Sequence, residues 1–403
     1  MAGSSSGNAT TKAYRRSATG WVPTYGTALV KLRSTVHAQN KELQDSLKLI
    51  FVKSGSPVHD WPGHPENAER VPSILKALEE HGLSSSPEMA ELTHFQAASF
   101  EDLVNVHDPR YLRGLEQKCI TLTDVSGLEV DSSPTYITRS TFVEGLQAAG
   151  AVKSLVDAIM DSGERTSDGI STTGFALCRP PGHHAVRSGP MGFCILNNAA
   201  VACTYARERY GLKKIAIVDF DVHHGNGTQD AFYSDPDVLF ISTHQRGSFP
   251  NTGKMDEVGS GDGQGLTINC PLPGASGHLA AMASMEEIIA PALKRFEPDM
   301  IVISAGYDAH FRDPLASLNY RSGTYHELTR NLVDLAAELC KGRCLFILEG
   351  GYDLDALGES VANSFAAILG QGPIDSVDPG LFRDEPLDKV KDVLREVKSI
   401  HNL

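Results

Sequence analysis

From residue 174 onward the chain alternates short, predominantly apolar runs with longer stretches in which apolar residues recur every three or four positions. The short runs fall at 174–178, 214–220, 238–243, 300–304 and 344–348, and an earlier one lies at 47–52. Unbroken apolar runs of this length predict strands buried on both faces. The periodic stretches predict helices over 71–80, 140–160, 197–210, 279–296, 324–341 and 353–369, with a shorter one over 111–116. The Ala148-Ala149-Gly150 segment predicts that the helix over 140–160 packs closely against a neighbour. Strands alternating with helices give the α/β class, with a central, predominantly parallel sheet flanked by helices.

No repeat, low-complexity tract or linker interrupts residues 46–375, which read as one domain. Residues 376–403 read as an extension whose helical spacing over 387–397 predicts a helix docked on the body. Residues 1–45 read as a flexible basic segment. Its first 41 residues hold six Lys/Arg and no acid, the composition of an organelle transit segment. The opening Met1-Ala-Gly-Ser-Ser-Ser-Gly also reads as a cloning remnant.

The whole chain of 403 residues is acidic, with 36 Lys+Arg against 50 Asp+Glu. A net charge of −14 argues against gripping nucleic acid through its own surface. No apolar stretch reaches the length of a membrane span. Cys119, Cys178, Cys194, Cys203, Cys270, Cys340 and Cys344 form no CxxC pair and read as buried free thiols.

The unusual polar residues gather at the ends of the apolar runs, where ligands bind in open α/β sheets. The run 214–220 leads into Asp219-Phe220-Asp221-Val222-His223-His224-Gly225-Asn226. Alternation along an extended strand would put Asp219, Asp221 and His223 on one side. The run 300–304 leads into Gly306-Tyr307-Asp308. Two carboxylates and an imidazole from Asp221, His223 and Asp308 form a donor set of the kind that holds catalytic zinc; ordinary strand-end caps are the plainer reading. After 174–178 comes Arg179-Pro180-Pro181-Gly182-His183-His184, whose paired imidazoles could serve as base and acid. After 344–348 comes Glu349-Gly350-Gly351-Tyr352, offering a phenolic donor to a developing oxyanion.

Together these motifs resemble the zinc-dependent histone deacetylase/acetylpolyamine amidohydrolase superfamily, in its order and from about residue 50 to 370. Asn226 and the run Ser304 to His310 look like its class II branch. The stretch 174–244 and the terminal residues 398–403 look like the plastid/mitochondrial-type plant members. The resemblance implies a three-layer arginase/deacetylase-like fold and Zn2+ on Asp221, His223 and Asp308. It makes His184 the general base and acid, with His183 beside it, and Tyr352 the carbonyl-polarising residue. Asp219 and Asn226 become the partners of His183 and His184. Gly192, Phe193 and Phe249 match the walls of a narrow substrate channel, and Leu315 the position that carries glutamate in polyamine-selective relatives. Asp131 matches a rim carboxylate that holds the substrate backbone, and Arg70 an arginine of the inner channel. K+ or Na+ is implied at Asp219, Asp221, His223, Ser242 and Thr243, and again at Phe232, Asp235 and Val238.

The implied reaction is hydrolysis of an acetamide to acetate and a free amine, on N-acetyl-lysine in proteins or on N-acetylserotonin. Acetylpolyamine hydrolysis and a catalytically weak scaffold are the competing readings. The expected partners are acetylated protein or a small acetamide, with no direct nucleic acid, no membrane, and room for an oligomer. The implied location is the plastid, with the mitochondrion and cytoplasm as alternatives.

Overall fold

The computed structural model describes residues 47–55, 57–122, 127–163, 171–374 and 384–403, and the backbone of two short paired strands, Tyr14–Ser17 and Gly20–Pro23. The chain divides into two units, Met1–Ser46 and Leu47–Leu403. Side chains of the first unit, and residues 375–383, which include the start of the C-terminal extension, lie outside the described residues.

Eight strands form the central sheet of the second unit: β1 (Leu49–Ser54), β2 (Met89–Glu91), β3 (Thr173–Cys178), β4 (Ile215–Asp219), β5 (Val238–Gln245), β6 (Thr267–Leu272), β7 (Met300–Ala305) and β8 (Cys344–Leu348). Their order is β6-β5-β4-β7-β8-β3-β1-β2. Every pairing in this sheet is parallel. Strand side chains alternate between two cores, as a pleat requires. Ala216 and Val218 face one core with Phe346 and Leu348; Ile215 and Ile217 face the other with Leu345 and Ile347. Residues of helices α1 (Arg70–Glu80), α6 (Ser322–Cys340), α7 (Leu354–Ile368) and α8 (Leu387–His401) cover the first core, with α4 (His278–Ser284) and α5 (Ala290–Phe296). Helices α2 (Thr141–Gly163) and α3 (Asn198–Tyr210) cover the second. A Cβ on Gly150 would lie 2.1 Å from the Gln96 carbonyl oxygen, so α2 meets its neighbouring segment there backbone to backbone.

The sheet contains two strands that periodicity does not reveal. β6 includes Asn269 and Pro271, which break the apolar run; as an edge strand paired only to β5 it tolerates the missing N–H. β2 has three residues, too few to register as a pattern. Helix α8 buries Val390, Val393, Leu394 and Val397 against the first core. Among the described residues no helix is long and apolar enough to cross a membrane.

Strand order sets the position of the site. After β4 the chain winds outward to β5 and β6; after β7 it moves the other way to β8. β4 and β7 are neighbours, with Asp219 opposite Ser304. Their carboxyl ends therefore open a crevice at a topological switch point, where open α/β sheets take ligands.

Candidate active site

β4 ends at Asp219, and residues 221–223 form bends rather than continuing the strand. The strand alternation that would put Asp219, Asp221 and His223 on one side thus reaches only as far as Asp219. Asp219 Oδ2 lies 3.0 Å from His183 Nδ1, and Asp221 Oδ1 lies 3.8 Å from Nε2 of the same ring. Asp221 and His223 meet Asp308 across the crevice. His223 Nδ1 lies 3.2 Å from Asp221 Oδ1 and 3.1 Å from Asp308 Oδ2, and one donor atom from each residue falls within 4.8 Å of the other two. The remaining carboxylate oxygens are held by backbone: Gly350 N donates to Asp221 Oδ2 at 2.8 Å, and Val222 N to Asp308 Oδ1 at 2.9 Å. A Cβ on Gly350 would lie 2.0 Å from Asp308 Oδ2, so only glycine lets the segment after β8 pass this close.

The three groups are buried and ask for positive charge between them. Burial would lower the His223 pKa, but hydrogen bonds to Asp221 and Asp308 outweigh it and hold it at about 10. Burial and then the Asp221 charge push Asp308 up. A proton on His223 thus sits where a divalent cation would relieve both carboxylates. Two carboxylates and one imidazole, rigidly held, fit zinc and leave room for further ligands.

His183 and His184 pack with ring centroids 4.0 Å apart and planes tilted by 42°, yet their environments drive them in opposite directions. Burial disfavours the charge on His183, but Asp221 and then Asp219 outweigh it and raise its pKa well above the usual value. Burial, then the charges of His183 and His223, hold His184 well below. His184 Nδ1 meets Asn226 Oδ1 at 2.7 Å. The Asn226 amide nitrogen faces Met191 Sδ at 3.4 Å and the His184 carbonyl at 3.5 Å. With its amide so oriented, Asn226 accepts from Nδ1–H and leaves the Nε2 lone pair of His184 free.

A cavity of about 260 Å3 opens onto these rings. Gly192, Phe193, Phe249 and Leu315 line it with His184, His223 and Tyr352, joined by Ser133 and Pro134. Phe249 stands edge-on to His184 at 5.0 Å, and Phe193 edge-on to Tyr352 at 5.5 Å. Asp313 accepts from Tyr352 N at 2.7 Å and from Leu315 N at 3.0 Å, tying two parts of the wall together. A larger cavity of about 460 Å3, lined by residues of 244–256 with Pro271 and Glu396, contains none of the residues implicated by sequence except their neighbours.

Asp131, implied at the rim, and Arg70, implied in the inner channel, are not among the residues lining this cavity of about 260 Å3. The Asp131 carboxylate accepts from Ser133 N, Thr135 N and Thr135 Oγ1 at 2.8–2.9 Å. Arg70 is fully buried behind Tyr352, its guanidinium carbon 5.1 Å from that ring's centroid, and it donates to Glu66 and to the Gly351 and Glu349 carbonyls. Of the positions implied for monovalent cations, Ser242 pairs in register with Asp219, and its hydroxyl meets His244 Nδ1 at 2.9 Å. Thr243 follows in β5, buried. Val238 starts that strand, away from Ser242, and near it Asp235 forms an ion pair with Arg207 at 2.6 Å while its N–H bonds the Phe232 carbonyl.

Sequence reasoning left several residues without a role. Glu349 accepts from Gly182 N, His183 N and Ser304 Oγ, anchoring the histidine turn from below. It comes close enough to His183 and Cys194 to form a second donor cluster, but its oxygens are already engaged. Glu66 bonds both Arg70 and Arg179. Glu349 lies within a quoted motif, so proximity was a signal; Glu66 and Asp313 carried none beyond being acids beside prolines.

A parallel sheet between two helical layers, with polar residues converging at its switch point, puts the chain in the three-layer α/β class with a ligand site at the strand ends. The family profile described as "Histone deacetylase domain" matches residues 64–368. Over 369 residues the chain is 48% identical to "Histone deacetylase 14, chloroplastic" of Arabidopsis thaliana, covering 90% of this chain and 86% of the relative. It is 46% identical to "Histone deacetylase 10, chloroplastic" of Oryza sativa subsp. japonica, covering 88% and 81%. A "Probable deacetylase" of Archaeoglobus fulgidus is 38% identical, covering 85% and 93%. Among solved structures, the crystal structure of the HDA15 HD domain superposes with a TM-score of 0.75 at 30% identity, covering 87% of this chain and 95% of that one. The chain belongs to the histone deacetylase family.

Proposed function

We propose that this chain hydrolyses an acetamide to acetate and a free amine, with N-acetyl-lysine in proteins as the leading substrate and N-acetylserotonin as a second. The observation that carries this reading is the closely packed His183–His184 pair, polarised oppositely, beside Asp221, His223 and Asp308 at one cavity. Pairs of titratable groups driven apart in this way divide acid from base work.

Asp221, His223 and Asp308 would hold Zn2+, which when bound supplies Lewis-acid polarisation of the amide carbonyl and a more acidic water. His184 Nε2, its tautomer set by Asn226, takes the proton of the attacking water and returns it to the leaving amine. His183, whose charge Asp221 and then Asp219 favour, orients the water and offsets developing negative charge. The Tyr352 hydroxyl donates to the oxyanion that develops at the acetyl carbonyl. Phe193 and Phe249 flank the flat amide and its aliphatic stem. Arg70, behind Tyr352, belongs to the inner wall along which acetate would leave.

A K+ or Na+ ion at Asp219, Asp221, His223, Ser242 and Thr243 is part of the proposal. At the second position Arg207 already neutralises the Asp235 carboxylate, leaving backbone oxygens of Phe232 and Val238. None of the cavity-lining residues is acidic, and Leu315 is apolar, which disfavours a cationic polyamine. The chloroplastic names of the two plant relatives support a plastid location.

Side-by-side kcat/KM values on an acetyl-lysine peptide, N-acetylserotonin and an acetylated polyamine, with zinc quantified, test the reading. Turnover of the first two with little on the third is expected. A zinc-loaded protein inert on all three would overturn it.

A further inference from the structure

Gly192 and Phe193 form the cavity wall nearest His184 and Tyr352, and both have left-handed backbone, with φ of 53° and 69°. Glycine suits that region; phenylalanine does not, and a side chain kept there is held by its surroundings. Gly192 has no freedom to change, since a Cβ would lie 2.4 Å from His184 Cδ2 and 2.8 Å from Phe249. The two backbone N–H groups of this turn do not bond to backbone. Gly192 N donates to Ser133 Oγ at 3.1 Å, and Phe193 N to Thr135 Oγ1 at 2.9 Å.

Those hydroxyls are oriented in turn by one carboxylate. Thr135 Oγ1 donates to Asp131 Oδ2 at 2.8 Å, so its lone pair is left for Phe193 N. Ser133 N and Thr135 N both donate to Asp131 Oδ1, at 2.9 and 2.8 Å, closing the loop that carries the hydroxyls. A hydroxyl has one proton, and an ionised carboxylate only accepts. Asp131 therefore fixes the direction of the Thr135 hydroxyl as well as the fold of its loop.

We propose that Asp131 is a positioning residue, which acts through Ser133 and Thr135 to hold the Gly192–Phe193 wall in its left-handed conformation, and does not hold the substrate backbone. The proposal rests on reading the cavity as an acetamide channel. On this account the carboxylate is felt by any substrate that passes Phe193, whether or not it has a peptide backbone.

Asp131→Ala, compared on an acetyl-lysine peptide and on N-acetylserotonin, separates the two roles. Positioning predicts that kcat/KM falls on both substrates by similar factors, about 10-fold or more for a displaced wall. Thr135→Val should reproduce much of that loss, and Thr135→Ser should restore activity by returning the hydroxyl. Hydrogen exchange over 190–195 gives a readout independent of turnover. Protection there should drop in Asp131→Ala and Thr135→Val while the central strands keep theirs. A loss confined to the peptide, with exchange at 190–195 unchanged, would overturn the proposal and return Asp131 to a substrate-binding role. Wild-type protein inert on both substrates would count against the acetamide reading, while the exchange result would still decide the clamp.

Discussion

At the scale of single residues, the chemistry depends on which proton sits where. Tyr352 meets the cavity beside Phe193, its backbone fixed by Asp313. Tyr352→Phe should leave zinc content unchanged and lower kcat by about 10²-fold, the usual cost of an oxyanion donor; steady-state kinetics with metal analysis checks this. His184 is kept neutral by burial and by neighbouring positive charge, so activity that needs it as a base should fall only in acid. Asn226→Asp places a carboxylate on Nδ1 and raises the pKa of His184. The acid limb of the kcat/KM–pH profile should then move to higher pH by about 1 unit or more. The residues that carry these roles were legible because each stands at the end of an apolar run, where a polar residue is conspicuous. Glu66 was not, because its meaning comes from a partner 113 residues away in Arg179, a distance no local pattern spans.

Among the elements, strands with unbroken apolar runs were legible and edge strands were not. β4, β7 and β8 are buried on both faces and read directly as apolar; β6 and β2 lie at the edges and are short or interrupted. Helix α8 packs close to β6, and Glu385 just before it accepts from Gly277, Leu279 and Ala280 N–H groups. Leu394→Ala should cost about 2–5 kcal/mol by removing buried side-chain volume, seen as a lower denaturation midpoint. The Pro/Gly-rich loop ahead of α1 is tied down by Glu66. Burial pushes this carboxyl up, but Arg179 and then Arg70 outweigh it and hold it at about 2, below its ordinary 4.5. A depressed folded-state pKa stabilises above the unfolded value and loses that stabilisation as pH falls toward 2. Glu66→Gln should therefore destabilise by about 3–5 kcal/mol at neutral pH, having left two buried guanidinium groups short of a counter-charge. The deficit should shrink as acid protonates the wild-type carboxyl, which denaturant titrations at a series of pH values would record.

At the scale of the whole molecule, a chain of net charge −14 has a cavity lined by no acidic residue. Long-range attraction then favours basic acetylated peptides while the contact surface stays neutral. Added salt should lower kcat/KM on a basic acetyl-lysine peptide and leave N-acetylserotonin nearly unaffected, since screening acts on charge. The winding of the sheet explains why residues far apart in sequence form one centre: β4 and β7 turn in opposite directions from the same crevice. The most direct test of this account is the metal content of the purified chain and of Asp308→Ala, measured together with acetate release from an acetyl-lysine peptide. The account predicts about one zinc per wild-type chain with turnover, and loss of both in the variant. Acetate release that persists at the wild-type rate in Asp308→Ala without bound metal would contradict it.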